Sequence, residues 1–87
     1  MYYVYVIKSR MDGKLYIGYS GDLRKRLAEH NQKVVKSTKP RGIFDLVYYE
    51  AYASIKDAKY REKQLKRFSS SYNHLKKRIK NSLIIFK

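Results

Sequence analysis

Two strand-like segments joined by a tight turn open the chain and constrain its fold more than any other feature. Residues 2–8 (YYVYVIK) and 15–20 (LYIGYS) are rich in aromatic and β-branched residues, a composition typical of strands. Asp12 and Gly13 between them form one of the strongest short-range signals for a hairpin turn. The sequence therefore predicts an antiparallel β-hairpin at the start of the chain.

The tyrosines of this hairpin divide between the two faces of the predicted sheet. Because successive side chains of a strand point to opposite faces, Tyr3, Tyr5 and Ile7 share one face of the first strand. Tyr16 and Gly18 likewise share a face of the second strand. Gly18 is unusual, since glycine weakens a strand unless a backbone or a ligand must come close. Strand tyrosines are usually packing residues, although a phenol near a metal ion or an arginine can act in acid–base catalysis.

A first helix follows the hairpin. Asp22 is a favourable N-cap, and the pattern continues to residue 32. Leu23 and Leu27 lie four residues apart and mark the buried face of this helix, with Ala28 beside them.

A loop and a third strand come next. Pro40 and Gly42 exclude regular structure from a loop over residues 33–42. Residues 44–52 (FDLVYYEAY) predict the third strand.

Two helices complete the pattern. The second begins at Ser54, with Asp57 in capping-box position. Its apolar stripe consists of Ile55, Ala58 and Leu65. A break at residues 69–71 precedes a short basic helix over residues 72–80, which directs Leu75 and Ile79 inward. The apolar tail at residues 83–86 must dock on the body or on a partner, so a monomer and a weak homodimer are both open.

The order of these elements defines the predicted fold class. The sequence predicts an α+β fold in which a small three-stranded antiparallel sheet is flanked by helices in the order β-β-α-β-α-α. We expect residues 1–87 to form a single domain, because a chain of this length is too short for two.

The charge balance indicates a polyanionic partner. The 87 residues include 21 Lys and Arg against 7 Asp and Glu, a net charge of +14. Such an excess binds polyanions through counterion release. Nucleic acid is the commonest such partner. A basic protein without a specific partner and a binder of anionic membranes are the alternatives.

Composition also sets an expected location. The chain has no cysteine, so neither disulfides nor thiolate metal sites can reinforce the fold. No apolar run approaches the roughly 18 residues that span a bilayer, and the first residues lack the basic region that opens a signal peptide. We expect a cytoplasmic protein with no membrane partner.

Glu62 breaks the apolar pattern of the second helix. It lies four residues after Ala58 and three before Leu65, so it points toward the core face. A lone carboxylate there costs free energy unless a cation or hydrogen-bond donors meet it. A Mg²⁺ ion would supply the cation, because it prefers hard oxygen ligands. A salt bridge to an arginine or a carboxylate in water is the structural alternative.

Arg26 and His30 form a second anomaly. They lie four residues apart on one face of the first helix, and Arg26 is at the margin of the buried stripe. Arg26 could present its guanidinium to a phosphate, and His30 could shuttle a proton. Taken alone, the pair is more typical of a solvated basic helix face. His74, in the basic C-terminal helix, is interpreted as a surface residue.

Together these residues resemble the GIY-YIG nuclease superfamily, specifically its small branch of stand-alone single-domain proteins. Tyr3-Val4-Tyr5 stands where the family has Gly-Ile-Tyr, and Tyr16-Ile17-Gly18 reproduces Tyr-Ile-Gly. Three further segments are similar in the same order: residues 19–31 with the active-site Arg and His, residues 37–41 leading into 46–50, and residues 58–66 with the metal-binding Glu.

The resemblance implies a role for each matched residue. Tyr5 and Tyr16 would line the site, and one of them would help to deprotonate the attacking water. Arg26 would contact the scissile phosphate and His30 would assist in proton transfer or phosphate positioning. Glu62 would hold a single Mg²⁺ or Mn²⁺ ion, whose remaining ligands are water and the phosphate.

Two positions depart from the family pattern. Tyr3 replaces the glycine of the first motif, and the late polar residue, often Asn in the family, has Asn73 as a candidate counterpart and Asn81 as a weaker one.

The resemblance implies a metal-dependent endonuclease that hydrolyses phosphodiester bonds in DNA. We expect selectivity for structure rather than sequence, because the chain has no room for a separate DNA-binding domain, and a role in DNA repair or recombination. The alternative function is a non-catalytic basic module that binds nucleic acid on the same fold.

Overall fold

A computed structural model describes residues 1–33, 35 and 38–85 of the chain. Its strands are β1 (Tyr2–Ser9), β2 (Leu15–Ser20) and β3 (Phe44–Tyr52). Its α-helices are α1 (Leu23–Asn31), α2 (Ile55–Lys66), α3 (Ser70–Arg78) and α4 (Lys80–Ile85). The strands form one antiparallel sheet in the order β2-β1-β3. The predicted α+β fold class, with its three-stranded antiparallel sheet, is therefore confirmed.

Strand β1 is the central strand, and helices cover both of its faces. Val4 and Val6 point to one face, where they pack with residues of α2, α3 and β2. Tyr5 and Ile7 point to the other face, where they pack with Phe44 and with half-buried side chains of α1. Because water reaches neither face, the run from Val4 to Ile7 is buried without interruption.

A side-chain amide ties the end of α1 to the start of β3. The Asn31 side chain accepts a hydrogen bond from the Phe44 backbone N–H at 2.8 Å and donates one to the Phe44 carbonyl at 3.2 Å. Because β3 lies at the edge of the sheet, these backbone groups of Phe44 point away from β1. The Asn31 amide satisfies them in place of a neighbouring strand. They hold α1 against the Tyr5 face of the sheet and so set the position of its last turn.

The boundaries of several elements differ from the sequence predictions. Helix α3 begins at Ser70, so the predicted break at residues 69–71 is too long. A short 3₁₀ helix at Lys39–Arg41 lies inside the predicted loop, because proline is compatible with the first turn of a helix. The apolar tail also forms a helix, in which Leu83 packs against the core and Ile84 is exposed. Phe86, the last residue of that predicted tail, lies outside the described residues.

Three side-chain predictions on the helices were wrong. Ala28 is exposed, because the buried side of α1 continues from Leu27 to His30 instead. Ile55 is 39% exposed, since it occupies the first turn of α2 before the helix reaches the sheet. The Ser54 hydroxyl accepts from the Lys56 backbone N–H, one position earlier than a capping box requires.

The other residues predicted to be buried on α2 and at the end of α3 are confirmed. Ala58, Leu65, Leu75 and Ile79 all belong to the core. Among the described residues, no helix is long and apolar enough to span a membrane.

Candidate active site

Three buried polar side chains form a hydrogen-bonded chain beneath α1. The Tyr5 hydroxyl lies 2.8 Å from Nε2 of His30, and Nδ1 of His30 lies 2.8 Å from Oγ1 of Thr38. All three residues are at most 1% exposed. The solvated-face interpretation is therefore wrong for His30. His30 follows Leu23 and Leu27 at helical spacing, so it extends the buried stripe onto the sheet face that carries Tyr5.

Burial determines the protonation state of His30. Loss of solvent, with a smaller contribution from the positive charge of Arg26, lowers the pKa of His30 to about 4. The imidazole is then neutral near pH 7 and carries one N–H. Thr38 Oγ1 donates to the Val35 carbonyl at 3.4 Å, so it is free to accept from Nδ1–H. In this arrangement the lone pair of Nε2 accepts the Tyr5 O–H.

Thr38 is a polar partner that sequence reasoning missed. It lies in the segment after α1, where no periodicity relates it to His30. The clue available in the sequence was the run of residues before Pro40 that matches the family's middle segment. Ser37, which belongs to that run, lies outside the described residues.

Tyr5 is the point at which the matched residues meet. Burial raises the pKa of Tyr5 to about 12, the nearby Arg26 guanidinium opposes this shift, and the Tyr16 and Glu62 side chains add to it. The Tyr16 ring also stands edge-on to His30, with ring centroids 5.1 Å apart. The structure thus brings Tyr5, Tyr16, Arg26 and His30 together. Glu62 is linked to them through Lys66, whose ammonium contacts both the Glu62 carboxylate and the Tyr16 ring.

Gly18 makes room for Tyr5. The two residues are directly opposite in the pairing of β1 with β2. A Cβ atom at Gly18 would lie 2.4 Å from the Tyr5 hydroxyl oxygen, far inside van der Waals contact. The close approach that the glycine predicts is therefore made by a tyrosine ring, which reaches His30 across the bare backbone of β2.

Arg26 lies at the open side of this cluster. Its Nη1 atom is 3.2 Å from Oε1 of Glu29, one turn along α1. Both side chains are about one third exposed and line a surface cleft with Tyr19 and Lys25. Because an exposed ion pair of this kind contributes little to stability, the guanidinium can exchange Glu29 for another anion at low cost.

Glu62 approaches the cluster from α2. Its side chain is 18% exposed, and Oε2 lies 3.2 Å from Nζ of Lys66. The Lys66 ammonium also lies 5.7 Å from the centre of the Tyr16 ring. The sequence left open a metal ligand or a structural carboxylate at Glu62. In the structure Glu62 forms a salt bridge, with a lysine rather than with an arginine.

The donor set around Glu62 suits one kind of metal ion. Among the described residues, no group of three or more His, Cys, Asp or Glu side chains could hold a metal. A site with one carboxylate fits Mg²⁺ or Mn²⁺, which keep several water ligands and take others from a phosphate. Zinc in a structural site needs about four protein ligands, so it does not fit.

The remaining candidates are surface residues. Asn73 on α3 and Asn81 on α4 are exposed. His74 is exposed as well, as the sequence indicated.

Comparison with known proteins identifies the family. The sequence profile of the GIY-YIG catalytic domain matches residues 1–76. The chain therefore belongs to the GIY-YIG family, a superfamily of nucleases whose members generally require a divalent metal ion and whose fold implies a nucleic-acid substrate.

Within that family the chain is similar to UPF0213 proteins. It is 41% identical to one from Staphylococcus saprophyticus over 69 residues, which are 78% of this chain and 83% of the relative. It is 46% identical to one from Streptococcus pneumoniae over 66 residues, or 75% of this chain and 66% of the relative. The solution NMR structure of a UPF0213 protein from Bacillus halodurans has a TM-score of 0.53 and 34% identity, and covers 86% of this chain and 81% of its own.

Proposed function

We propose that this protein is a metal-dependent endonuclease that hydrolyses phosphodiester bonds in DNA. The observation that carries the proposal is the convergence of Arg26, Tyr16 and Glu62 on the buried Tyr5–His30–Thr38 chain. A cluster with a neutral imidazole, two phenols, a guanidinium and a carboxylate contains the groups that hydrolysis of a phosphodiester needs: a proton acceptor, an anion binder and a metal ligand.

The proton acceptor is a tyrosine supported by His30. Either Tyr5 or Tyr16 takes a proton from the attacking water. The Nε2 atom of a neutral imidazole is hydrogen-bonded to the Tyr5 oxygen, which fixes the Tyr5 phenol within the cluster. Tyr5 is 1% exposed whereas Tyr16 is half-buried, so Tyr16 is the tyrosine that an attacking water reaches more readily.

The remaining groups act on the phosphate. Arg26 exchanges Glu29 for the scissile phosphate and stabilises the negative charge that develops on its oxygens. Glu62 holds Mg²⁺ or Mn²⁺, and a bound ion would polarise the phosphate and stabilise the leaving 3′ oxygen.

Selectivity follows from the surface of the protein. The net charge of +14 supplies affinity for the sugar–phosphate backbone that does not depend on base sequence. We therefore propose that the enzyme selects irregular DNA structures rather than sequences, in a repair or recombination role in the cytoplasm.

The test is a cleavage assay on plasmid and branched DNA with Mg²⁺ or Mn²⁺. The natural protein is compared with Glu62→Gln and Arg26→Ala, and with Lys63→Gln as a control on the exposed side of α2. We expect both site variants to lose cleavage while the control retains it. If the natural protein binds DNA but cuts none under either metal, the chain is a binding module instead.

A further inference from the structure

Lys66 stands beside the carboxylate to which the metal ion is assigned. The Lys66 Nζ atom lies 3.2 Å from Oε2 of Glu62, and the two residues are one turn apart on α2. Glu62 precedes Lys66 by four residues, which is the favourable order for a helical ion pair. The 5.7 Å contact with the Tyr16 ring holds the ammonium on the side of α2 that faces the cluster.

This ion pair opposes binding of a second cation. Glu62 carries one negative charge, which the Lys66 ammonium already offsets. A divalent ion on the same carboxylate would meet the repulsion of a positive charge a few ångströms away. Lys66 must therefore move before, or as, a metal ion binds.

Lys66 is able to move. Its side chain is 45% exposed, and a lysine has a long flexible stem that can redirect its ammonium at low cost. A substrate phosphate next to Arg26 and Tyr16 would offer this ammonium a new anionic partner.

We propose that Lys66 is an internal counter-ion that keeps the metal affinity of Glu62 low until a substrate phosphate draws the ammonium away. Metal binding and nucleic-acid binding then strengthen each other, because coupling between two ligands is reciprocal. The inference rests on the proposed function in one respect, the assignment of the metal ion to Glu62.

The test measures Mn²⁺ binding to the DNA-free protein by electron paramagnetic resonance. Removing the competing charge with Lys66→Met should tighten Mn²⁺ binding roughly 3- to 10-fold, as expected for one charge a few ångströms from a divalent ion in a partly solvated site. Lys66→Arg retains the charge and can pair with the carboxylate through two N–H groups, so it should bind Mn²⁺ no more tightly than the natural protein.

Lys63→Met is the matched control. It removes the same charge from the same helix but leaves the Glu62–Lys66 pair in place, so Mn²⁺ affinity should change less than about twofold. If Lys66→Met binds Mn²⁺ no more tightly than Lys63→Met does, the counter-ion proposal is overturned.

The movement of the Lys66 ammonium away from Glu62 when DNA binds, which we call the release step, has its own measurement. The Mn²⁺ titrations are repeated with a saturating DNA duplex whose linkages are phosphorothioates, which keep the negative charge and slow hydrolysis while Arg26 stays in place to hold the phosphate. The advantage of Lys66→Met should shrink, since DNA has already drawn the ammonium from Glu62. An advantage as large with DNA as without it overturns the release step.

Glu62→Gln separates the failure of this inference from the failure of the proposed function. If Glu62→Gln binds Mn²⁺ as well as the natural protein does, the metal assignment is wrong and both proposals fail. If it loses Mn²⁺ binding while Lys66→Met equals the natural protein, the nuclease site stands and the counter-ion proposal alone is rejected.

Discussion

Two clusters in this protein contain the same residue types and pair them in opposite ways. The closed cluster consists of Glu50, Arg61, Tyr48 and Tyr52. The open cluster consists of Glu62, Arg26, Tyr5 and Tyr16. Each has one glutamate, one arginine and two tyrosines, and Arg61 and Glu62 are even neighbours on α2.

The closed cluster satisfies its own charges. The Arg61 guanidinium donates to both carboxylate oxygens of Glu50 at 3.0–3.2 Å, and the hydroxyls of Tyr48 and Tyr52 donate to the same carboxylate. Burial by itself would raise the pKa of Glu50, but the hydrogen bonds from Arg61, Tyr52 and Tyr48 outweigh it and lower the pKa. Because the Glu50 carboxylate is already hydrogen-bonded by these side chains, it has little capacity to bind a ligand.

The open cluster pairs its charges with partially exposed residues instead. Arg26 is held by Glu29, and Glu62 is held by Lys66. Each of these bonds joins neighbours on one helix and is weak. Both charged groups can therefore leave their partners for a phosphate or a metal ion. The comparison shows that a ligand-binding site needs charged side chains whose ion pairs are weak enough to be exchanged for a ligand. The residue types alone do not identify such a site.

Removing each glutamate gives the largest expected contrast. Glu62→Gln should lower the rate of DNA cleavage by roughly 100-fold or more, because loss of an electrostatic stabiliser of the transition state commonly costs that much. Its unfolding free energy should change by less than about 0.5 kcal/mol. Cleavage rates and urea denaturation measure the two effects. Glu50→Gln should do the reverse, and equal loss of cleavage in both variants would refute the distinction.

Acid should destabilise the fold through His30, which is buried against Tyr5 of the open cluster. The pKa of His30 is lowered from 6.5 to about 4 in the native protein. Between these values the unfolded chain binds a proton that the native protein does not, so stability falls as the pH drops through this window. The full loss is about 3 kcal/mol. Urea denaturation between pH 7 and pH 4 measures it.

His30→Gln and His74→Gln provide the comparison for this pH series. His30→Gln should remove the greater part of the dependence between pH 6.5 and pH 4. His74 is exposed on α3, so His74→Gln should retain the dependence of the natural protein. A His30→Gln variant with an unchanged pH profile would contradict the assignment.

Breaking the closed cluster should lower the unfolding free energy without lowering the rate of DNA cleavage. Glu50→Gln leaves Arg61 largely buried without its counter-charge, and we expect a loss of about 2 kcal/mol in unfolding free energy. Asp45→Asn is the matched control. It breaks the Arg10–Asp45 pair, in which the arginine is 64% exposed, and should cost less than about 1 kcal/mol. Thermal unfolding compares the two, and equal losses would show that the closed cluster is no stronger than a surface pair.

Thr38→Val gives the smallest and most specific effect. It preserves the shape of the side chain but leaves Nδ1 of His30 without its partner, at a cost of about 1 kcal/mol. Cleavage should fall about 10-fold, since the imidazole loses the bond that fixes its tautomer. Thr38→Ser keeps the hydroxyl and should recover the greater part of both losses. If Thr38→Ser is as impaired as Thr38→Val, packing rather than the hydrogen bond explains the residue.

Local patterns predicted the elements of this fold well. Strand β3 has the bounds that its composition predicts, and Asp22 and Ser54 cap the helices that they were expected to cap. These features depend on residues within one turn or one hairpin of each other, so the sequence contains the necessary information. The start of α3 was misplaced because three consecutive serines are compatible with a loop, a cap or a first helical turn.

The candidate site was predictable only in part. The order of the matched motifs selected Tyr5, Tyr16, Arg26, His30 and Glu62. It did not indicate that His30 is buried, since a histidine four residues from an arginine is typical of a solvated face. It did not select Thr38 either, because no local pattern connects a loop residue to a helix eight positions earlier in the chain.

The sequence by itself determined the strands, the caps, the positive charge and the residue types available for chemistry. Those properties depend on side-chain periodicity and on neighbours along the chain. The tertiary structure decided that Glu50 belongs to the closed cluster and Glu62 to the open cluster. Glu50 meets Arg61 only after β3 packs against α2, and Tyr5 meets His30 only because Gly18 leaves room between β2 and α1. Pairing of this kind depends on distances across the sheet, which the linear sequence does not contain.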